Sequence, residues 1–262
     1  YIEEMKEKAR IESELKVAQL VQSSFFPNEE INGTAFNISG RYSPASECGG
    51  DWWGVLNFQD KTIVMIADAT GHGVPAALIT ATINCCKSNL KSYLELAPEK
   101  ATSSGFMMSF INQAICDAGK EIQMTAFIFV LDHSRQMMTF SNASHQPALL
   151  YRQEGVEISK ENFQVLNDVN GPRLGQNPQQ SYEEKTITLL PHDKIYLYTD
   201  GITECINSQG NAFGERRFLK TILESVTMDA KTTKNGLWAS VESFRDNTPL
   251  KDDITFVAVD IL

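Results

Sequence analysis

This 262-residue chain has no apolar run long enough to cross a bilayer; its longest runs are strand-sized. It also lacks an excess of positive charge. Lys and Arg number 23 against 33 Asp and Glu, a formal net charge of −10, which argues against nucleic acid and anionic membrane as main partners. No cysteines stand at zinc-like spacing. The five present, Cys48, Cys85, Cys86, Cys116 and Cys205, are an odd number, which excludes a fully paired disulfide framework and fits a reducing, cytoplasmic compartment. There is no secretory signal pattern, internal repeat or low-complexity tract. Tyr1 stands where an initiating Met would, so the chain reads as a piece of a longer protein, with or without a membrane anchor upstream. What is there, 42% apolar and 21% charged residues, is ordinary for a globular protein with one large domain or two small ones.

The most informative stretch runs from Thr62 to Leu90. Thr62 to Ala67 is a short run of branched apolar residues, which predicts a buried strand. Asp68-Ala-Thr-Gly-His-Gly73 is a tight loop with two glycines. Pro75 then sits where a first-turn proline is tolerated, and Ala- and Leu-rich sequence predicts a helix to about Leu94. Asp68 is thus presented at a strand end beside a helix start. Cys85 and Cys86 fall within that helix and read as buried apolar filler.

Residues 2 to about 25 are charge-rich and free of Gly and Pro, with Ile2, Met5, Ala9 and then Leu15, Ala18 and Gln22 or Val21 near helical spacing. Two readings stand: an amphipathic helix packed on its own domain, or a signalling helix that joins an upstream sensor or pairs with a twin. Pro27-Asn28 ends it, which gives a linker helix over 1–27 and one domain over 28–262. Strands are expected over 36–42 and 55–58, then 124–131, 137–141 and 148–151. Segments 185–190 and 194–198 read as a strand pair joined by Pro191-His192-Asp193, and Thr255 to Ile261 as a closing strand. Helices are expected over 104–118, 216–226 and 233–244. Strands and helix pairs come in blocks, so the fold class is α+β, with two mainly antiparallel sheets face to face and helix pairs outside. In Trp52-Trp53, alternation along a strand predicts one ring inward and one outward.

Four acidic positions lie at ends of predicted strands: Asp51 after Gly49-Gly50, Asp68, Asp200 in Tyr198-Thr-Asp-Gly201, and the pair Asp252-Asp253. Any one alone is an ordinary turn former. Together they supply the hard oxygen ligands that divalent cations take.

Gly49-Gly-Asp51, Asp68-Ala-Thr-Gly-His-Gly-Val-Pro-Ala-Ala77, Asn142-Ala-Ser-His-Gln-Pro147, Tyr198-Thr-Asp-Gly-Ile-Thr-Glu204, Phe213-Gly214 and Asp252-Asp-Ile-Thr255 occur in the order seen in one family. By these motifs the chain resembles, over about residues 17–262, the SpoIIE/RsbU group of bacterial PPM-type serine/threonine phosphatases, related to the type 2C phosphatases. The resemblance implies a four-layer α/β/β/α sandwich with two Mn²⁺ or Mg²⁺ ions at one end, which activate the attacking water. It implies phosphoserine or phosphothreonine substrates, commonly on STAS-domain antagonists of anti-sigma factors. It makes Asp68 the acid that bridges both ions, the Ala69 carbonyl a further ligand, Asp200 and Asp252 ligands of one ion, and Asp51 a direct or water-mediated ligand. Asp253 is read as ligand support or as a backbone hydrogen-bonder. His72 could protonate the leaving oxygen, and a loop histidine bonded to backbone is the plainer reading.

Two positions depart from that family's pattern. Gly54 stands where a second acid is common, three residues after Asp51, and Ser144 where Gly is common. Gly54 motivates a competing reading, a catalytically weak or silent regulatory module. A nucleotide cyclase, hinted at by Gly49-Gly-Asp51, leaves the other acids without a role.

Overall fold

The structure, a computed structural model, describes residues 2–71, 73–118, 122–153, 155 and 157–262. In chain order it contains α1 (Ile2–Ser23), β1 (Glu30–Asn32), β2 (Phe36–Ser43), β3 (Asp51–Phe58), β4 (Lys61–Ala69), α2 (Val74–Leu96), α3 (Ser104–Ala118), β5 (Met124–Asp132), β6 (Met137–Ala143), β7 (Leu149–Tyr151), β8 (Phe163–Val165), β9 (Lys185–Thr188), β10 (Lys194–Tyr198), α4 (Gly201–Glu204), α5 (Gly214–Ser225), α6 (Ala230–Arg245) and β11 (Ile254–Ile261). The strands form a six-stranded sheet, β1-β2-β11-β10-β7-β8, and a five-stranded sheet, β3-β4-β5-β6-β9. All pairings between neighbouring strands are antiparallel.

Three apolar clusters define four layers. Ile63, Met65 and Ala67 of β4 pack with Ile79, Ile83 and Leu90 of α2 and Met107 and Ile111 of α3. Val64 and Ile66 point the other way and meet Ile195, Leu197, Val257 and Val259 of the six-stranded sheet. That sheet's far face packs Tyr196, Phe256 and Ala258 against Phe218 and Ile222 of α5 and Leu237 and Val241 of α6. Covering both faces explains why β4 is a continuous apolar run rather than an alternating one. The fold is therefore the α/β/β/α sandwich expected from the order of blocks.

Helix ends follow local chemistry. Pro75 lies in the first turn of α2, behind Gly73 at φ 75°. Asp229 caps α6 by accepting a hydrogen bond from the Thr232 N–H at 2.7 Å.

Several expectations are corrected. Segments 185–190 and 194–198 do not pair: β9 joins β6 in one sheet, while β10 lies between β7 and β11 in the other. The Pro191–Asp193 link crosses between sheets, held by buried Asp193, which accepts from the Leu190 N–H at 2.8 Å and from Arg152 Nε at 2.9 Å. Neither tryptophan faces water, because both faces of β3 are covered: Trp52 packs under α2 and Trp53 between the sheets. Cys86 is buried, but Cys85 is exposed. Two short strands form where the sequence carries little strand pattern, β1 just after Pro27 and β8 between β7 and β9. Helix α1 buries only Gln22 and leaves Ile2, Met5, Leu20 and Val21 exposed. Among the described residues, no helix is long and apolar enough to cross a membrane.

Replacing either tryptophan by Ala should cost roughly 3–5 kcal/mol in urea unfolding, whereas Leu20→Ala should stay within about 0.5 kcal/mol. A near-neutral result at Trp52 or Trp53 would contradict burial on both faces.

Candidate active site

The acidic motifs meet at one end of the sandwich because of strand direction. Asp51 opens β3 and is the register partner of Asp68 near the end of β4; Asp68 in turn pairs with Thr125 of β5. In the facing sheet, Asp200 follows β10, and Asp252-Asp253 precede the antiparallel β11.

Hydrogen bonds between the sheets fix this end. Asp51 is fully buried, and its Oδ2 accepts from the hydroxyls of Thr199 at 2.7 Å and Thr255 at 2.6 Å. The Thr255 N–H donates to Thr199 Oγ1 at 2.9 Å. Asp253 is buried and binds backbone: its carboxylate accepts from the N–H groups of Ala45 at 2.8 Å, Gly50 at 2.6 Å and Asp51 at 3.4 Å. This close seating forces two glycines. A Cβ at Gly49 would strike the Asp253 carboxylate, and one at Gly201 the Asp253 carbonyl.

The remaining acids point toward solvent. Asp68 and Asp200 are half-buried and line one cavity of about 160 Å³, together with Thr125, Ser144, Gln146 and Arg173. Asp252 is exposed, and its Oδ1 accepts from the Asp253 N–H at 2.8 Å. Burial, then repulsion from Asp200, Asp252 and Asp253, pushes the Asp68 carboxyl up to about 7, while Arg173 opposes the rise. Burial and then Asp252 raise Asp200. Burial, followed by Asp68 and Asp253, raises Asp51 well above the ordinary carboxylate range, against the hydrogen bonds from Thr255 and Thr199. The Ala69 carbonyl lies beside Gly50, 3.0 Å from where a Cβ there would stand. His72 lies outside the described residues.

The structure shows where Gly54 lies. Residue 54 faces α2, on the opposite side of β3 from Asp51, and the Trp52 ring fills the space a side chain there would need. Gly54 is thus a packing position on the helix face of β3.

Thr199, Thr255 and Arg173 were not assigned from the sequence, whereas His145 reads from the sequence as support for its loop. Thr199 and Thr255 lie inside the motifs Tyr198-Thr-Asp-Gly201 and Asp252-Asp-Ile-Thr255, so proximity to the acids was their signal. His145 Nδ1 shares a 2.7 Å hydrogen bond with Thr125 Oγ1, and the His145 N–H donates to Asn142 Oδ1 at 2.8 Å. Burial lowers its imidazole to about 4, so it is neutral at pH 7 and supports the loop. Arg173 lies in an unpatterned loop and had no signal beyond its charge.

The donor set is oxygen only, and repulsion among its carboxylates is what an enclosed divalent cation would relieve, so these residues fit Mg²⁺ or Mn²⁺ better than a soft metal. Among the described residues, no group of three or more His, Cys, Asp or Glu is gathered as a finished ion cage.

Fold and site together define a two-sheet sandwich with a hard-oxygen, acid-lined end. The chain belongs to the SpoIIE family: the family model described as Stage II sporulation protein E (SpoIIE) matches residues 59–262. It is similar to the phosphoserine phosphatase RsbU of Bacillus subtilis (strain 168), 26% identical over 253 residues that cover 95% of this chain and 70% of RsbU. Identity to the phosphoserine phosphatase RsbP of the same organism is 23% over 199 residues, 75% of this chain and 47% of RsbP. Among solved structures, the SiaA-PP2C domain of Pseudomonas aeruginosa shares the fold with a TM-score of 0.80 at 21% identity, over 97% of this chain and 98% of that one. The PP2C phosphatase domain of SpoIIE from Bacillus subtilis, with a fragment of its regulatory domain, gives 0.67 at 18% identity, over 88% and 64%.

Because Asp68 is repelled by three neighbouring carboxylates, Asp68→Asn should stabilise the protein in chelator. The expected rise in Tm is about 2–4 °C for each kcal/mol of repulsion relieved. A lower Tm would show that the cluster is not repulsive.

Proposed function

We propose that this domain is a metal-dependent protein serine/threonine phosphatase that removes phosphate from phosphoserine or phosphothreonine. The observation that carries the reading is that Asp68 and Asp200, 132 positions apart in a chain of 262, line one small cavity at the strand ends. Asp68, Asp200, Asp252 and the Ala69 carbonyl would hold two Mn²⁺ or Mg²⁺ ions. Asp51 stands behind Asp68, with one oxygen committed to Thr199 and Thr255. Bound there, the ions supply an activated water and offset charge on the phosphoryl oxygens. The chain's own part is to orient: Asp253 holds the Gly50-Asp51 backbone, and the neutral His145–Thr125 pair braces the strand that carries Asp68's register partner.

The substrate we infer is a phosphorylated protein, of the STAS-domain class, in a cytoplasmic signalling pathway. That inference rests on the family resemblance and on relatives named as phosphoserine phosphatases. We also infer that residues 1–27 link a phosphatase domain over 28–262 to an upstream sensor, and that α1 pairs with a second copy through its exposed apolar side chains. A direct connection supports control through this helix. Gln22 at its end donates to the Gly49 carbonyl at 2.7 Å and accepts from the Gly49 N–H at 3.1 Å, one residue from the Gly50 amide that Asp253 holds.

The activity test is Mn²⁺-dependent hydrolysis of p-nitrophenyl phosphate and of a phosphoserine STAS protein. Loss of a support residue around a metal costs 10–100-fold, so Asp68→Asn and Asp200→Asn should each lose at least about 100-fold. Full activity in Asp68→Asn would place the chemistry elsewhere. Calorimetry separates the silent-module alternative, which requires that millimolar Mn²⁺ not bind. For α1, light scattering should find a dimer that becomes a monomer when residues 1–15 are removed; unchanged mass and activity would reduce the helix to a tether.

A further inference from the structure

We propose that Arg173 is the phosphoryl-binding residue of this site and sets its affinity for phosphate esters. The inference rests on the phosphatase reading and names a group that the acidic motifs do not include.

The backbone around Arg173 is pinned on both sides. Before it, the Gly171 N–H donates to the Asn142 carbonyl at 2.8 Å, and the Ser144 hydroxyl donates to the Gly171 carbonyl at 2.8 Å. After it, Leu174 and Met124 exchange backbone hydrogen bonds at 2.8 and 3.1 Å. Pro172 fixes its own φ between these anchors. The loop is therefore a rigid mount beside the start of β5, one residue from Thr125, which pairs with Asp68.

On this mount sits an exposed guanidinium that lines the same cavity as Asp68 and Asp200 and is the only cationic side chain to do so among the described residues. Its field reaches Asp68, yet among the described residues no carboxylate forms an ion pair with it. An arginine beside acids that leaves its planar fork unused is placed to receive a further anion. A tetrahedral phosphoryl dianion matches that fork with two parallel hydrogen bonds. The need is electrostatic as well: on a chain of net charge −10, a dianionic substrate approaching several carboxylates gains from a fixed positive group at the cavity wall. Gln146 supplies a neutral amide beside it, hydrogen-bonded to Asp200, while the Ser144 hydroxyl is engaged with the Gly171 carbonyl.

The test compares wild type with Arg173→Ala and Arg173→Lys at saturating Mn²⁺, with p-nitrophenyl phosphate as substrate and inorganic phosphate as competitor. In Arg173→Ala, KM and the phosphate inhibition constant should rise together by about 10- to 100-fold, the loss expected for charge-assisted hydrogen bonds, with a much smaller change in kcat and an unchanged Tm. Arg173→Lys should recover part of the loss, since it keeps the charge but not the fork. Calorimetric titration of inorganic phosphate into the Mg²⁺-loaded proteins should show binding that weakens by the same factor. If KM and phosphate affinity stay at wild-type values while only the Mn²⁺ requirement shifts, Arg173 merely tempers the acidic cluster and the proposal is overturned. If wild type hydrolyses no phosphate ester, it is the phosphatase reading that fails. The calorimetry then decides Arg173 alone: phosphate binding lost on Arg173→Ala sustains it, and binding that is absent or unaffected ends it.

Discussion

The acceptance by Asp51 Oδ2 of two threonine hydroxyls from the facing sheet is the interaction on which the site depends. β3 belongs to one sheet; Thr199 directly follows β10 and Thr255 is the second residue of β11 in the other. The apolar core between the sheets holds them together but is non-directional, so it does not set how one sheet's strand ends align with the other's. A buried carboxylate does set it. Unpaired, it would carry a large desolvation penalty, so the register that supplies both hydroxyls is strongly favoured over its neighbours. Asp253 acts from the other side, with three backbone amides of the Ala45–Asp51 segment on its two oxygens.

One oxygen of Asp51 and both of Asp253 are thereby engaged in holding the strand ends, and Asp68, Asp200 and Asp252 are left nearer the surface. The cost of that arrangement shows in the raised Asp68 and Asp200, each disfavoured as a charge by burial and by its neighbours. Glycines make such crowding possible: at Gly49 and Gly201 the Asp253 carboxylate and main chain occupy the space of a side chain. In the motifs these glycines look like turn formers. In the fold they are contact surfaces for one aspartate: a side chain at Gly49 would strike it from the other sheet's side, and one at Gly201 would strike its main chain between β10 and β11.

Much of this was legible in one dimension. Each acid stands where apolar alternation gives way to Gly or polar residues, and that break marks a strand end whatever the topology. The start of α2 was readable from Pro75 and the residues after it, because first-turn proline is a local rule. Sheet membership was not local. β9 and β10 carry patterns that fit a hairpin, and only their strand partners show that the chain crosses to the other sheet, through a link held by buried Asp193 and Arg152. The tryptophan pair misled for a related reason: alternation reports two faces of a strand but not how many of them are covered. Thr199, Thr255 and Arg173 are common residue types whose roles exist only once distant strands are placed.

Gly54 shows how a departure from a family pattern is weighed physically. By spacing alone, an acid missing three residues after Asp51 subtracts a ligand. A regular strand places positions 51 and 54 on opposite faces, and β3 is regular here, with Asp51 opposite Asp68 and Gly54 opposite Met65. The Trp52 ring lies across Gly54 and closes the layer beneath α2. A carboxylate at that position would have to displace an indole from an apolar layer, so tryptophan at 52 and glycine at 54 form one packing solution. What this chain gives up at position 54 is room on the helix face, on the side of β3 opposite Asp51.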